Sequence, residues 1–408
     1  MADLKISMSD LRTMLPKVSE DDLEEVFSRS AWSAICEPGD GFAGFLVSKI
    51  GASAALEAEI QGLPSNLLKS KLLAAGIGEM EVDAFGVFEK AHAEARERWK
   101  SRISLELIRV ALYKIAKVGG YVITPSDPNW PEQLKDLGLH SPFALWIRGN
   151  SSALRKLENA VSIVGSRGAT SYGEFATDSM VSALVPKGFS IVSGGAYGID
   201  AIAHRSTLAL RGNTVAVMAG GLDKFYPSGN NELLRRISQT GAVISEVPPG
   251  TIPSKWRFLQ RNRLISALGQ STLVVEANWR SGALNTVSHC ERLERSIYAV
   301  PGPITSPKSA GTNRLIAEGR AQLVVDGNDL LERLGETTRM MPMAELDGLG
   351  AIEKRVFDAL GYDVLEIAEI CSSAGLTREE ARFGLSNLEL DGLVLRRDSA
   401  WTKSQTTV

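Results

Sequence analysis

The chain has 408 residues, 44% hydrophobic and 23% charged, with a formal net charge of −3. That balance fits a globular protein of two or three domains and excludes a surface basic enough to coat nucleic acid all over. No apolar run approaches the roughly 20 residues needed to span a bilayer, and the start, MADLKISMSDLRTML, lacks the features of a signal peptide, so the cytoplasm is expected.

Residues 1–117 are rich in helix formers, with apolar positions three and four apart in EVDAFGVFEKAHAEARERW and SLELIRVALYKIAK, which predicts a helical domain. In VSKIGASAALEAEI a glycine separates two helical patterns; a plain joint is expected, with a grip on a nucleic-acid backbone as the alternative. After Gly119 and Gly120 the texture changes, and Pro125, Pro128 and Pro131 in YVITPSDPNWPEQLKDL predict a strand and turn that open a new domain. From Leu157 the β-branched runs AVSIVG, FSIVSG, TVAVMAG, AVISE, TLVVEA, SIYAVPG and AQLVVDG alternate with helical patterns. This predicts a Rossmann-like, doubly wound, mainly parallel α/β sheet over residues 118–336. Residues 337–346 read as a polar linker, and 347–408, with three short helices and the hairpin LVLRRDSAWTK, as a winged helix. Its third helix mixes Arg378 and Arg382 with Glu379, Glu380, Glu389 and Asp391, which suits a protein or dimer contact at least as well as a DNA groove.

In a doubly wound sheet, ligands bind where strands end and helix N-termini present free N–H groups. The first of the seven runs ends in Gly165-Ser166-Arg167-Gly168: glycine permits close approach to an anion, and arginine offers a forked cation. The second ends in Ser193-Gly194-Gly195-Ala196-Tyr197-Gly198-Ile199-Asp200, with His204 one turn on; Asp200 is expected to charge the helix start and His204 to hydrogen-bond locally. TIPSKWRFLQRNRLISAL packs Lys255, Arg257, Arg261 and Arg263 around Trp256 and Phe258 without an acidic residue, a mixture suited to single strands because cations track phosphates while rings stack on bases. The bland alternative pairs those arginines with neighbouring carboxylates. Ser281 and Gly282 promise a further anion-binding helix start, and Pro301, Gly302, Gly311, Thr312 and Asn313 a fourth turn on the same edge. Four such turns predict a groove for a polymer with repeating phosphates.

No nucleophile is nominated, neither GxGxxG nor GxxxxGK[ST] occurs, and Cys36, Cys290, Cys371 and the four histidines lack ligand spacing, so no catalytic residue, cofactor or metal is expected.

The series GSR, SGGAYGIDAIAH, GLDKFYP, SEVPPG, FLQRNRLIS, EANWRSGALNT, VPG and GTNRLIAEG, in this order from about Asp127 to Gly319, closely resembles the DNA-processing protein A family, also called Smf. The resemblance implies a Rossmann-like domain that holds single-stranded DNA without sequence preference during natural transformation. It also implies loading of the RecA recombinase, a homodimer formed through that domain, and flanking modules of helical (SAM-like or helix-hairpin-helix) and winged-helix type. Carried onto this chain, it places the DNA pocket at Arg167, at the glycines of SGGAYG and at Lys255, Arg261 and Arg263. With the groove reading, the expected DNA-binding set is Gly165, Ser166, Arg167, Ser193, Gly194, Gly195, Lys255, Phe258, Arg261, Asn262, Arg263, Ser281 and Gly282. The family's Phe-Pro before RNR is here Phe258-Leu259-Gln260. Two alternatives remain. A phosphoribohydrolase-like enzyme would need a PGGxGTxxE loop, which RSGALNTVSHCE lacks, with Glu291 too far along; a duplex-binding regulator would use the winged helix.

Overall fold

The structure is a computed structural model that describes residues 7–15, 18–336, 349–360, 364–391, 393–397 and 400–403. It divides into two compact units, Met1–Leu330 and Leu331–Val408.

The first unit is built on a nine-stranded sheet. Its strands are β1 (Tyr121–Ile123), β2 (Leu145–Gly149), β3 (Ala160–Val164), β4 (Ser190–Ser193), β5 (Thr214–Met218), β6 (Ala242–Ser245), β7 (Ser271–Val274), β8 (Ser296–Ala299) and β9 (Gln322–Leu323), in the spatial order β1-β2-β6-β5-β4-β3-β7-β8-β9. All seven runs expected from the sequence form β3 to β9, and these pair in parallel; YVI forms β1 as expected. The sheet also contains β2, LWIRG, which no periodicity marked and which joins β1 and β6 antiparallel. Every residue of β3, β4, β5, β6 and β7 is buried, because helices cover both faces and leave no polar side to alternate with. From β3 the chain builds outward through β4, β5 and β6 on one side, then returns to place β7, β8 and β9 on the other. The topological switch point therefore lies between β3 and β7, where the first crossovers diverge and leave a crevice at the strands' carboxyl ends.

The N-terminal region is helical, from Met8–Met14 to Leu105–Lys117. In the latter helix Ile108, Ala111, Leu112 and Ile115 bury one face at the expected spacing, and Ser104 caps its start through Leu107 N. The helices pack around Trp32 and Trp99, whose rings meet edge to face at 5.3 Å. The same buried cluster takes in Trp146, Met218 and Val243 of the sheet, and Trp146 Nε1 donates to Ser33 Oγ at 3.1 Å. Residue 118 thus marks a change of architecture inside one compact unit. The glycine between helices Gly41–Ile50 and Ala52–Ile60, Gly51, has φ of +82° and serves as their joint.

The second unit has helices Ala351–Ala359, Ile367–Ala374 and Arg378–Leu390 with strands Leu365–Glu366, Val394–Arg397 and Ala400–Lys403 in one small sheet, a winged helix. Thr377 and Glu380 close a capping box at its third helix. The expected linker, 337–346, lies outside the described residues. Among the described residues no helix is long and apolar enough to cross a membrane.

Candidate functional site

The carboxyl ends of β3 and β7 open into a cleft of about 760 Å³ at the switch point. Its floor is the turn after β3. A side chain at Gly165 would come within 2.6 Å of Ile199 and 2.9 Å of the Glu276 carbonyl, so only glycine lets the β3, β4 and β7 ends meet. Ser166 is buried and its Oγ accepts from Lys308 Nζ at 3.0 Å, while Arg167 is exposed with its guanidinium 5.1 Å from the Phe258 ring centre. Buried Glu276, just past β7, accepts from Thr170 N at 3.0 Å and Thr170 Oγ1 at 2.5 Å, which pins the start of helix Ser171–Leu184 beside the cleft. A carboxylate there also complements the positive end of that helix.

The basic run lies on a helix, Lys255–Leu268, capped by Ser254 through Arg257 N at 3.2 Å. At 3.6 residues per turn its cations cannot all point one way. Lys255, Phe258, Arg261 and Asn262 line the cleft. Arg257 instead grips Glu37 of the helical region, Nε to Oε2 at 3.0 Å and Nη2 to Oε1 at 2.7 Å. Arg263 is buried against Glu246, Nη2 to Oε1 at 2.5 Å. Two of the four cations thus face the strand ends, and the other two take the carboxylate partners of the bland alternative.

Arg261 reaches the cleft from within. Its Nη1 donates to Gly194 O at 2.7 Å and Val217 O at 2.5 Å, fastening the ends of β4 and β5 to the helix. Burial lowers its pKa to about 10, with nearby Asp200 opposing that shift and Arg167 adding to it. Burial in turn raises the Asp200 pKa, against the pull of Arg261. Asp200 sits in the first turn of helix Ile199–Ala209 and accepts a long bond, 3.4 Å, from Ala196 N, as expected of a charge at a helix start. His204 bonds Thr214 Oγ1 at 2.7 Å rather than Asp200, and burial lowers its pKa to about 3, so it is neutral.

Of the expected set, Gly165, Ser166, Arg167, Lys255, Phe258, Arg261, Asn262, Ser281 and Gly282 line this cleft, and Ser193, Gly194, Gly195 and Arg263 do not. Ser193 Oγ donates to Ile163 O at 2.6 Å inside the sheet, Gly194 is covered by Arg261, and the Gly195 carbonyl accepts from Asn230 Nδ2 at 3.0 Å. The fourth turn is likewise occupied by its own chain. Asn313 holds both polar groups of Gly302, accepting from its N at 3.1 Å and donating to its O at 2.9 Å, and Gly311 N donates to Ala277 O at 2.7 Å. What that segment lends the cleft is Lys308, which sequence reasoning missed together with Tyr226, Asn278 and Arg280. Tyr226, whose ring centre stands 5.8 Å from that of Phe258, lies in GLDKFYP, and Asn278 and Arg280 lie in EANWRSGALNT. Lys308, in a Pro- and Ser-flanked stretch, had only its charge to mark it. Asp200 is the one carboxylate among the lining residues, so the described wall is strongly cationic.

Glu291, the carboxylate weighed for hydrolysis, is held by Arg320 at 2.7 Å and 3.0 Å and does not line the cleft. Among the described residues no group of His, Cys, Asp and Glu is placed to hold a metal ion.

The model of the family DNA recombination-mediator protein A matches residues 121–335, and that of the DprA winged helix domain matches 341–398. A DNA processing protein DprA of Mycobacterium tuberculosis is 41% identical over 300 residues, covering 69% of this chain and 77% of its own. The DNA processing protein DprA of Streptococcus pneumoniae is 38% identical over 205 residues, covering 50% and 71%. The X-ray structure of the S. pneumoniae DprA superposes with a TM-score of 0.55 at 27% identity, covering 80% of this chain and 98% of that one. With more than half its length matched in one family model, and a fold built around that match, the chain belongs to the DNA recombination-mediator protein A family.

Proposed function

We propose that this protein binds single-stranded DNA along the switch-point cleft, without sequence preference, and passes the strand to the RecA recombinase during DNA uptake. The observation that carries the reading is the grouping of Arg167, Lys255 and Lys308 about the exposed edge of Phe258 and Tyr226 in one cleft. Cations that follow phosphates and ring faces that stack on any base give affinity with little regard to sequence. Asn262, the side chain best equipped to read a base edge, is engaged by Asn285 Oδ1 at 3.1 Å and Gly282 O at 3.4 Å. Transfer to RecA and a homodimer built through the sheet region rest on the family's role as a recombination mediator, and action in the cytoplasm follows from that role. The protein is read as a binder, not an enzyme. The test is a gel-shift comparison of single-stranded and duplex oligonucleotides with the full chain and its Arg167→Ala and Lys255→Ala variants. Preference for the single strand, weakened by both substitutions, supports the reading; duplex preference favours the winged-helix regulator.

One observation gives the hydrolase alternative a residue to name: Asp200 lines the cleft with a burial-raised pKa. Release of free base from nucleoside monophosphates by the wild type and not by Asp200→Asn would establish it.

A further inference from the structure

Helix Lys255–Leu268 has a second cleft on its other side. Trp256, Gln260, Arg263 and Arg292 from the sheet region and Phe85 and Arg98 from the helical region line a space of about 770 Å³. Its carboxylates are already committed. Glu37 takes Arg257 and Arg102, Asp136 takes Arg295, and Asp40 caps Phe42 N at 3.1 Å and Ala43 N at 3.2 Å, with Arg98 3.5 Å away. Arg292 is exposed and makes no ion pair among the described residues. Arg263, its side chain 4% exposed, meets Glu246 through Nη2 alone and leaves Nε and Nη1 without a partner. Two large rings stay open to solvent: Trp256 is 56% exposed and Phe85 40%.

Trp256 directly follows Lys255, which lines the switch-point cleft. A strand crossing the first turn of this helix therefore passes from one cleft into the other. Exposed rings beside Arg292, which makes no ion pair among the described residues, and Arg98, more than half exposed at the edge of Asp40, repeat the chemistry of the first cleft. We infer that the second cleft is a further subsite for the same single strand, where a base stacks on Trp256 and Phe85 and its phosphate meets Arg292 and Arg98. This rests on the reading of the switch-point cleft as the single-strand site. The helical region then takes part in binding directly, through Phe85 and Arg98.

The test uses the full chain and fluorescein-labelled oligothymidylates of two lengths, one short enough to fill the switch-point cleft alone and one long enough to cross the helix. Stacking on one ring is worth about tenfold in affinity. Trp256→Ala and Arg292→Ala are each expected to weaken the long strand, Trp256→Ala by about tenfold, and to leave the short one unchanged, with Trp256→Phe restoring most of the loss. Trp256→Ala binding the long strand like wild type overturns the inference, and so does an equal loss on both lengths. Arg167→Ala binding the short strand like wild type overturns the switch-point reading itself, so the two failures are told apart by length.

Discussion

Arg261 lies directly on Gly194: its Nη1 donates to the Gly194 carbonyl at 2.7 Å, and a methyl group on Gly194 would overlap the guanidinium. The glycine of SGGAYG is therefore there to admit a buried arginine, whose charge is met by two strand-end carbonyls and Asp200. Gly194→Ala is expected to cost about 1–3 kcal/mol, the usual range for overpacking, because relieving the overlap takes Arg261 off the two strand-end carbonyls it holds. Thermal denaturation of the variant without DNA should show a lower Tm. An unchanged Tm would mean that Arg261 leaves its seat without loss.

Gly282 gives the opposite case. A methyl there meets nothing, and its φ of −61° is helical, so Gly282→Ala is expected to leave stability unchanged or raise it slightly. Gly282 also lines the switch-point cleft at the start of helix Ala283–Arg292. If a strand approaches this turn closely, the same variant binds DNA more weakly while melting no lower, a separation that equilibrium binding and calorimetry together resolve. Full affinity would place the strand away from Ser281 and Gly282.

These glycines show where the sequence was legible. Runs of β-branched residues, several of them ending in glycine, located β3 to β9 and the sheet edge at which the candidate site forms, because continuous burial and tight strand-end turns both constrain composition. The strand β2, LWIRG, was hidden because its Arg148 and Gly149 break the apolar run; Arg148 lies over the Phe225 ring at 4.0 Å and donates to Leu222 O. The basic run misled in a different way. Proximity in sequence placed Lys255, Arg257, Arg261 and Arg263 together, but on a helix they diverge toward the cleft, Glu37, the strand ends and Glu246. The partners Glu37 and Glu246 are distant in sequence, so no local pattern could reveal them.

Arg263 and Glu246 form a buried pair, with side chains 4% and 9% exposed. Removing one member leaves the other charged and dry, a loss of about 3–5 kcal/mol. Arg263→Ala is thus expected to destabilise the protein strongly, with the folded fraction still binding a short oligonucleotide at wild-type affinity. Urea denaturation followed by binding at a temperature where the variant is folded separates the two effects. Weak short-strand binding by fully folded Arg263→Ala would return this arginine to the switch-point cleft.

Arg167 and Lys255 are exposed cations on the cleft wall, so their part in binding a polyanion is expected to come from release of counterions. For single strands, log K falls with log salt by about 0.7 for each phosphate contacted. Arg167→Ala and Lys255→Ala are each expected to lower affinity and flatten this slope by about that amount, and the double variant by about twice as much. Titrations at several salt concentrations measure it. Lower affinity with an unchanged slope would show that the side chains position the loop without touching phosphate.

His204 couples the fold beneath the cleft to pH. Burial lowers its pKa from 6.5 to about 3 in the folded chain, while Nδ1 keeps its bond to Thr214. Between those two values the unfolded chain holds the extra proton and the folded chain does not. Stability is therefore fully present above pH 6.5 and is lost as the pH falls toward 3, by up to about 1.4 kcal/mol per pH unit. The raised pKa values of Asp200 and Glu246 act with the opposite sign, since there the folded chain takes the proton first as pH falls. Both groups are retained in His204→Gln, so their effect cancels in the difference between wild type and variant. Denaturation across this range should give a steeper acid loss for the wild type than for His204→Gln. Parallel curves would show that the folded chain protonates this histidine as readily as the unfolded one does.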